Sequence, residues 1–422
     1  MNKYFLAASV SVVAMAGLAW AAAGGMGKAP GNRIVRLSAS SQIAAAYTPT
    51  VQASPTAVAD GTVLAADGKH IVDAYICVFR AGAVGRGNER AEANRAANAA
   101  GGSIGHVYDV ALQGFSVHAS ARGVEQMQRN NARIDYCEQD AVATIVDPIN
   151  IKAQPSGGAT QPAQTIPQGI GFVNGGNTTS THTAFVIDTG IDLNHPDLNV
   201  AAQGNGNDGN SANFVSRETS ANDLNGHGSH VSGTIAAKLN TIGVVGVAPG
   251  SRLVAVRVLD RRGSGSYSDV IAGVNYVATF GKPGDVANMS LGGPISAALD
   301  SAVVNASGSG IWFALAAGNE TDDAVNHSPG RVNGPFIRTV AAFNSVNWVW
   351  ASFSNYNLSI VDYAEPGVSV YSTWKDGGYN TISGTSMATP HMAGILLLGG
   401  PATATTFVTR TGTSENYPIG KL

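Results

Sequence analysis

The feature that most constrains the fold is an alternation of strand-like and helix-like segments that begins near residue 163. Short apolar, β-branched runs end in Gly, Asp or Ser, and segments of helical character lie between them. The strand-like runs are THTAFVID, RLVAVRVLD, DVANMSLG and GIWFALAAG, and the helical segments are HVSGTIAAKL, SYSDVIAGVNYVATFG and ISAALDSAVVNASGSG. Such an alternation predicts an α/β fold, in which a mainly parallel central sheet carries helices on both faces.

The composition agrees with a large buried core. The chain has 422 residues, of which 44% are hydrophobic and only 13% are charged, against a usual charged fraction of about 25%. Its net charge of −3 argues against nucleic acid or an anionic membrane as the main partner.

A different pattern precedes the alternating region. Residues 69–147 contain HIVDAYICVFR, GNERAEANRAANAAGG, HVYDVALQGFSVHA, ARGVEQMQRNNA and RIDYCEQDAVATI, which predict the order β-α-β-β-α-β of a small α+β, ferredoxin-like domain. Residues 25–68 are rich in Ala, Ser, Thr, Pro and Gly and are interpreted as a linker. Residues 148–162 form an exposed connector, and 163–422 form the α/β domain.

The first 24 residues have one Lys, an apolar stretch and then small residues, which is typical of a secretory signal peptide. A membrane anchor is the alternative, but no basic stop-transfer cluster follows it. We therefore expect a secreted protein with no stable membrane association after signal removal. The only two cysteines, Cys77 and Cys137, lie in the first third of the chain, and whether they pair is left open.

Polar residues follow several of the predicted strands, at the sheet edge where parallel α/β folds collect reactive groups. Asp188 ends one apolar run and is followed by Thr-Gly. It could simply cap a loop. D-T-G also occurs in aspartic proteases, which need two carboxylates, and a single copy would then require a homodimer.

Two histidines, His227 and His230, stand at the start of a predicted helix. A metal pair is one interpretation, but no third ligand or H-E-x-x-H pattern supports zinc. A histidine at a helix N-terminus has its charged form disfavoured by the helix dipole, which suits a base that is neutral near pH 7.

Asn319 leaves the strand in FALAAGNETDDA. Its amide can donate to a developing oxyanion, although an Asn after Gly is also an ordinary turn residue.

The stretch TISGTSMATPH, residues 381–391, carries five hydroxyl side chains ahead of an apolar run. A helix cap is the simplest interpretation. However, Asp188, His227 and Ser386 occur in the order known for the subtilisin triad.

Together these segments resemble the subtilisin family of serine proteases (subtilases, peptidase S8). ISGTSMATPH, AAGNE and NHSPG are similar to its proteinase K-like branch, and GFSVHAS and IDYCEQD to its inhibitory (I9-type) propeptide. The resemblance implies a three-layer α/β/α domain over 163–422 and a propeptide over 69–147. It also implies a triad of Asp188, His227 and Ser386, with Asn319 as the oxyanion donor.

The resemblance extends to substrate and calcium binding. Two segments would pair with a substrate peptide by β-augmentation, although Gly-Ser runs are also typical of plain loops. The implied substrate-binding residues are Ser264, Gly265, Ser290, Leu291, Gly292, Ala317 and Gly318. A structural Ca²⁺ would take oxygen ligands from Gln164, Asp197, Lys238, Asn240, Ile242 and Val244, of which Asp197 and Asn240 could equally serve turns.

Three departures from the family pattern stand out. Ser229 replaces the usual Thr of HGTH, and Glu365 stands where a small apolar residue is usual, near the predicted substrate side. The C-terminal helices common in relatives are not expected, because GGP at 399–401 ends the last helix.

The resulting expectation is a monomeric, secreted endopeptidase acting on proteins and peptides without an organic cofactor. Its propeptide would inhibit it until self-cleavage between about 148 and 165. A non-catalytic peptide-binding pseudoprotease is the first alternative, and an aspartic or zinc hydrolase the second.

Overall fold

The computed structural model describes residues 56–57, 63–145, 149–153, 161–402 and 406–422, so the predicted signal peptide lies outside the described residues. The N-terminal part contains six strands and two helices. These are β1 Thr56–Ala57, β2 Val63–Leu64, β3 His70–Phe79, α1 Glu89–Ala99, β4 Ser103–Tyr108, β5 Gly114–His118, α2 Ala121–Asn130 and β6 Ile134–Ile145.

From β3 to β6 this part has the predicted order β-α-β-β-α-β. The strands pair in the order β6-β3-β5-β4, and each pair is antiparallel, as in ferredoxin-like units. Apolar side chains of α1 and α2 pack on one face of this sheet around Phe115. Cys77 and Cys137 lie opposite each other on β3 and β6 and form a disulfide, which answers the question that the sequence left open.

The remaining elements follow in chain order. They are β7 Ile149–Ala153, α3 Gln168–Phe172, β8 Thr183–Asp188, β9 Ala212–Asn213, α4 His227–Ala236, β10 Arg252–Arg257, β11 Ser264–Ser266, α5 Tyr267–Phe280, β12 Val286–Met289, β13 Leu291–Gly292, α6 Ala297–Ser307, β14 Trp312–Ala316, β15 Ile337–Asn344, β16 Val349–Trp350, β17 Tyr363–Pro366, β18 Val370–Trp374, β19 Gly378–Ser383, α7 Thr385–Leu397, β20 Phe407–Thr409 and β21 Asn416–Pro418.

The central sheet has the order β16-β15-β14-β12-β8-β10-β9, with β17 also beside β15. Each pair is parallel apart from β15–β16. Alternate side chains of β8 enter two different cores: Phe185 and Ile187 pack with α5 and α6, whereas Ala184 and Val186 pack with α4 and α7. The predicted three-layer α/β/α architecture is confirmed.

The two parts meet along the end of β6. Residues 142–144 pair antiparallel with β11, and 144–145 pair antiparallel with β13. Beyond residues 146–148, β7 pairs antiparallel with β19, with Ile149 opposite Ser383. Because β19 leads directly into α7, β7 lies close to the start of α7.

After α7, the described residues 398–402 and 406–422 contain the antiparallel pair β20–β21 and no helix, as the sequence predicted. Glu365 lies under this segment and is fully buried, where one of its carboxylate oxygens accepts a 2.8 Å hydrogen bond from Gly420 N. Within the described part of the chain, no helix has the length and apolar character needed to cross a membrane.

Candidate active site

Asp188 and His227 are joined by a direct hydrogen bond. Asp188 is the last residue of β8 and His227 is the first residue of α4, so a strand end and a helix start meet at the sheet edge. The His227 Nδ1 atom lies 2.8 Å and 2.9 Å from the two Asp188 carboxylate oxygens. Thr189 N also donates to Asp188 Oδ1 at 2.7 Å. This arrangement orients the imidazole so that Nε2 is the atom left for proton transfer.

Ser386 is the second residue of α7. Its hydroxyl donates to the carbonyl of Ser290 at 3.1 Å, and its own carbonyl accepts from Ser290 Oγ at 2.9 Å. His227 Nε2 is buried and has no hydrogen-bond partner among the described residues. A serine–histidine contact commonly tightens only when substrate binds.

Asn319 is held by Thr385, the residue before Ser386. Asn319 Oδ1 accepts hydrogen bonds from Thr385 N and Thr385 Oγ, both at 2.9 Å. These two contacts assign the amide orientation, since only the oxygen can accept them. The amide nitrogen is thereby directed away from Thr385 as a donor. The sequence singled out Asn319 but did not predict its contact with Thr385, because the two residues are 66 positions apart in the chain.

The predicted substrate-binding residues fall into two groups. The first group borders the end of β6: Gly265 lies opposite Ala143, and Leu291 opposite Ile145. Ser264 and Gly292 both lie opposite Thr144, and Ser290 contacts Ser386 as described. The second group, Ala317 and Gly318, follows β14 and leads to Asn319, and Gly318 N donates to Thr385 Oγ at 3.3 Å.

Asp188, His227 and Ser386 are each 0% exposed to solvent. In the intact chain the sheet edge that carries them is therefore covered, and β6 occupies the space between the two strands that the sequence assigned to substrate.

His230, the second histidine of α4, is held in the protein core. It is fully buried, its Nε2 lies 3.0 Å from the carbonyl of Val370, and burial lowers its pKa to about 3. The described residues also contain no group of three or more His, Cys, Asp or Glu side chains suited to a metal. Neither observation supports the zinc alternative.

The six predicted calcium ligands do lie together. Four oxygens surround the Gln164 Nε2 atom: Lys238 O at 2.8 Å, Asn240 Oδ1 at 3.2 Å, Val244 O at 3.2 Å and Ile242 O at 3.4 Å. Asp197 adjoins this group, because its carboxylate accepts from Asn240 Nδ2 and from Val244 N.

The four oxygens around Gln164 Nε2 and the Asp197 carboxylate are the ligand type that Ca²⁺ takes. Gln164 itself would join them as a ligand only with its amide turned, because its Oε1 atom accepts from Asn240 N and its Nε2 atom faces the oxygens. Burial raises the pKa of Asp197 to about 6, although the charge of Lys238 acts in the opposite sense.

The chain is similar in sequence to known proteins over much of its length. The Subtilase family model matches residues 184–399, about half of the chain. The alkaline serine exoprotease A of Vibrio alginolyticus is 38% identical over 359 residues, which cover 82% of this chain and 64% of that protein.

Two fungal relatives are matched over a larger share of their own length. The subtilisin-like serine protease AsES of Sarocladium strictum is 41% identical, covering 69% of this chain and 71% of that protein. Proteinase R of Parengyodontium album is 34% identical, covering 84% of this chain and 87% of that protein. The chain therefore belongs to the subtilase family of serine endopeptidases.

Proposed function

We propose that this chain is the zymogen of a secreted serine endopeptidase that hydrolyses peptide bonds through Ser386, His227 and Asp188. The observation that carries the proposal is the buried hydrogen bond between His227 Nδ1 and the Asp188 carboxylate at the edge where Ser386 begins its helix. A pseudoprotease would not need this pair. A phosphonylating reagent should abolish peptide hydrolysis and label Ser386, whereas activity that survives full labelling would contradict the proposal.

Each residue has a defined step in the reaction. Ser386 Oγ attacks the peptide carbonyl carbon, and its proton passes to His227 Nε2. As the acyl-enzyme forms, the C–N bond breaks and the leaving amine takes that proton. Asp188 keeps the imidazole oriented and stabilises its charged form. Asn319 donates to the oxyanion, and a water molecule then hydrolyses the ester by the same proton path.

The N-terminal domain, residues 69–147, is proposed as an intramolecular inhibitor. Its last strand pairs with β11 and β13 as a peptide substrate would. Two of its carboxylates also reach the first turns of helices in the catalytic domain. Glu138 accepts from Ser296 Oγ and Ala297 N at the start of α6, and Asp140 accepts from Ser268 N at the start of α5. The backbone N–H groups of a helix start have no partner within the helix, so each carboxyl group satisfies donors of the catalytic domain.

Self-cleavage is proposed to separate the two domains. Ile145, the last residue of β6, lies opposite Leu291 of β13, and Ile149, the first residue of β7, lies opposite Ser383 of β19. These two contacts lie on either side of the turn that carries Ser386. The first cut is therefore expected between Ile145 and Ile149, at the beginning of the region 148–165 that the sequence indicated or just before it. Intact-mass analysis of the processed fragments measures this position directly, and a first cut after residue 149 would contradict it.

Inhibition should weaken as the pH rises. Burial raises the pKa of Glu138 to about 7 and that of Asp140 to about 6. These carboxyl groups therefore bind protons in the bound domain and lose them when the domain is released. A group with a raised pKa in the bound state loses binding free energy as pH increases between its two pKa values. We expect the processed complex to release activity faster after incubation at pH 8 than at pH 5, with activity assayed at one fixed pH.

The variant Glu138→Gln keeps an accepting oxygen but does not titrate, so it should show a smaller dependence on pH. Glu125→Gln is the matched control, because Glu125 is exposed on α2 and pairs with Arg129. Equal pH dependence in wild type and Glu138→Gln would refute the role of Glu138.

The oxygen cluster around Gln164 is proposed as a structural Ca²⁺ site, with Asp197 as its charged ligand. Removing Ca²⁺ with EGTA should lower the unfolding temperature of the processed enzyme, because a ligand at 100 times its Kd stabilises the native state by about 2.7 kcal/mol. The variant Asp197→Asn should lose this response. If EGTA leaves the unfolding temperature of the wild type unchanged, the structural role is ruled out.

A further inference from the structure

One buried carboxylate outside the triad is bound to both sides of the Asp188–His227 pair. Asp223 lies on the loop before α4 and is 1% exposed. Its Oδ1 atom accepts from Thr189 Oγ at 3.0 Å and from the backbone N of Asn225 and Gly226, each at 2.8 Å. Its Oδ2 atom accepts from Ser229 N at 2.9 Å and Ser229 Oγ at 2.7 Å. Five donors thus converge on one side chain.

These donors belong to the two segments that carry the acid and the base. Thr189 follows Asp188 and donates its backbone N–H to it. The same Thr189 hydroxyl oxygen accepts from Gly228 N at 3.0 Å, which is the residue after His227. Asp223 is therefore connected to Asp188 through Thr189. It is also connected to both neighbours of His227: directly to Gly226, and through the Thr189 hydroxyl to Gly228.

The two glycines that flank His227 pack closely against neighbouring residues. Gly226 has φ of 115°, and a Cβ there would come within 2.2 Å of the Trp374 ring. A Cβ on Gly228 would come within 2.0 Å of the Gly190 carbonyl oxygen. Side chains are therefore excluded at both glycine positions, and Asp223 accepts hydrogen bonds from the backbone of this loop.

The charge of Asp223 also acts on the first turn of α4. Gly226, the N-cap residue, offers no side chain to accept from the turn, and Asp223 accepts from Ser229 N instead. Burial raises the pKa of Asp223, and the hydrogen bonds from Gly226, Ser229 and Asn225 act in the opposite sense. In its charged form Asp223 opposes the dipole that disfavours a charged imidazole at a helix N-terminus. The charged side chain packed on this loop from β10 is Arg257, which pairs with Glu218 and donates to the carbonyls of Ser220 and Asn222.

We infer that Asp223 is a positioning residue for catalysis: its carboxylate holds the Asp188–His227 pair in its reactive geometry through Thr189 and the glycines that flank His227. This inference rests on the proposed acid–base role of that pair.

The first test compares Asp223→Asn with Asp192→Asn, using kcat and KM per active centre titrated with a phosphonylating reagent. Asp192 is a matched control, because it is also buried and accepts from the backbone N of Asn194 and Gly377. Misplacing a catalytic group by about 1 Å costs about 100-fold, so Asp223→Asn should lower kcat about 100-fold with little change in KM. Asp192→Asn should keep the wild-type kcat.

The dependence of the phosphonylation rate on pH gives a second readout. Loss of the Asp223 charge makes the charged imidazole less favourable, so the acid limb of the profile should move to lower pH. If Asp223 only stabilised the fold, Asp223→Asn would reduce the number of titrated active centres but would leave the acid limb of the pH profile unchanged. Wild-type kcat in Asp223→Asn, or an equal loss in Asp192→Asn, would overturn the inference.

A second variant keeps the test decisive if Asp223→Asn does not fold. Thr189→Val preserves shape and removes the hydroxyl that links Asp223 to Gly228, so it should lower kcat about tenfold or more. Where both variants fold, their losses should not add, because they break one network; additive losses would contradict it. If His227→Ala is inactive while Asp223→Asn and Thr189→Val keep the wild-type kcat, only the inference about Asp223 is refuted. If His227→Ala is active, the proposed function is refuted as well.

Discussion

The variant Ser386→Ala should accumulate as the uncut full-length chain and should not hydrolyse peptides. The hydroxyl of Ser386 is the only nucleophile that the protein supplies in the proposed mechanism, and self-cleavage uses the same atom as hydrolysis of other substrates. The expected loss of kcat is on the order of 10⁶-fold, the value established for the triad serine of the related subtilisins. Intact-mass analysis and a fluorogenic peptide assay report the two effects separately.

The control for this variant is Ser383→Ala. Ser383 belongs to the same turn, but its hydroxyl accepts a 2.8 Å hydrogen bond from Ser369 N and has no role in the proposed reaction. It should mature and hydrolyse peptides at a rate close to the wild type. Normal maturation of purified Ser386→Ala, or inactivity of both variants in folded form, would refute the assignment of Ser386.

The variant Asn319→Ala should lower kcat about 100- to 1000-fold while KM changes little. That range is the one established for removal of the oxyanion donor of subtilisin, and the physical reason is the same here. The amide donor matters when negative charge develops on the carbonyl oxygen, so its loss raises the barrier more than it weakens binding of the ground state. Steady-state kinetics on the processed enzyme measures both parameters.

Thr385→Val tests whether the orientation of Asn319 is what matters. It removes the hydroxyl that donates to Asn319 Oδ1 but leaves the backbone N–H of Thr385 in place. We therefore expect a loss of kcat that is clearly smaller than in Asn319→Ala. An unchanged kcat in Asn319→Ala would remove Asn319 from the mechanism.

Much of the fold was predictable because it depends on local periodicity. The four strand-like runs correspond to β8, β10, β12 and β14, and the three helical segments to α4, α5 and α6. The strands β15 and β17 and the hairpin β18–β19 were not predicted. Their sequences are mixed in polarity, and the hairpin also pairs with β7, a strand distant in sequence.

The sequence also located the candidate catalytic residues, because strand ends, helix starts and chain order are local or linear features. It did not supply the partners that orient them. Thr385 reaches Asn319 across 66 residues, and Asp223 reaches Thr189 across 34. Neither residue has a periodicity or spacing that indicates its contact.

The sequence by itself determined the layered α/β architecture, the family and the order Asp188, His227, Ser386, since each follows from apolar periodicity or from motifs read along the chain. Tertiary structure alone decided three other matters: the Cys77–Cys137 disulfide, the insertion of β6 between β11 and β13, and the convergence of donors on Asp223. These depend on side chains and strand edges distant in sequence, which become neighbours only when the hydrophobic cores have packed.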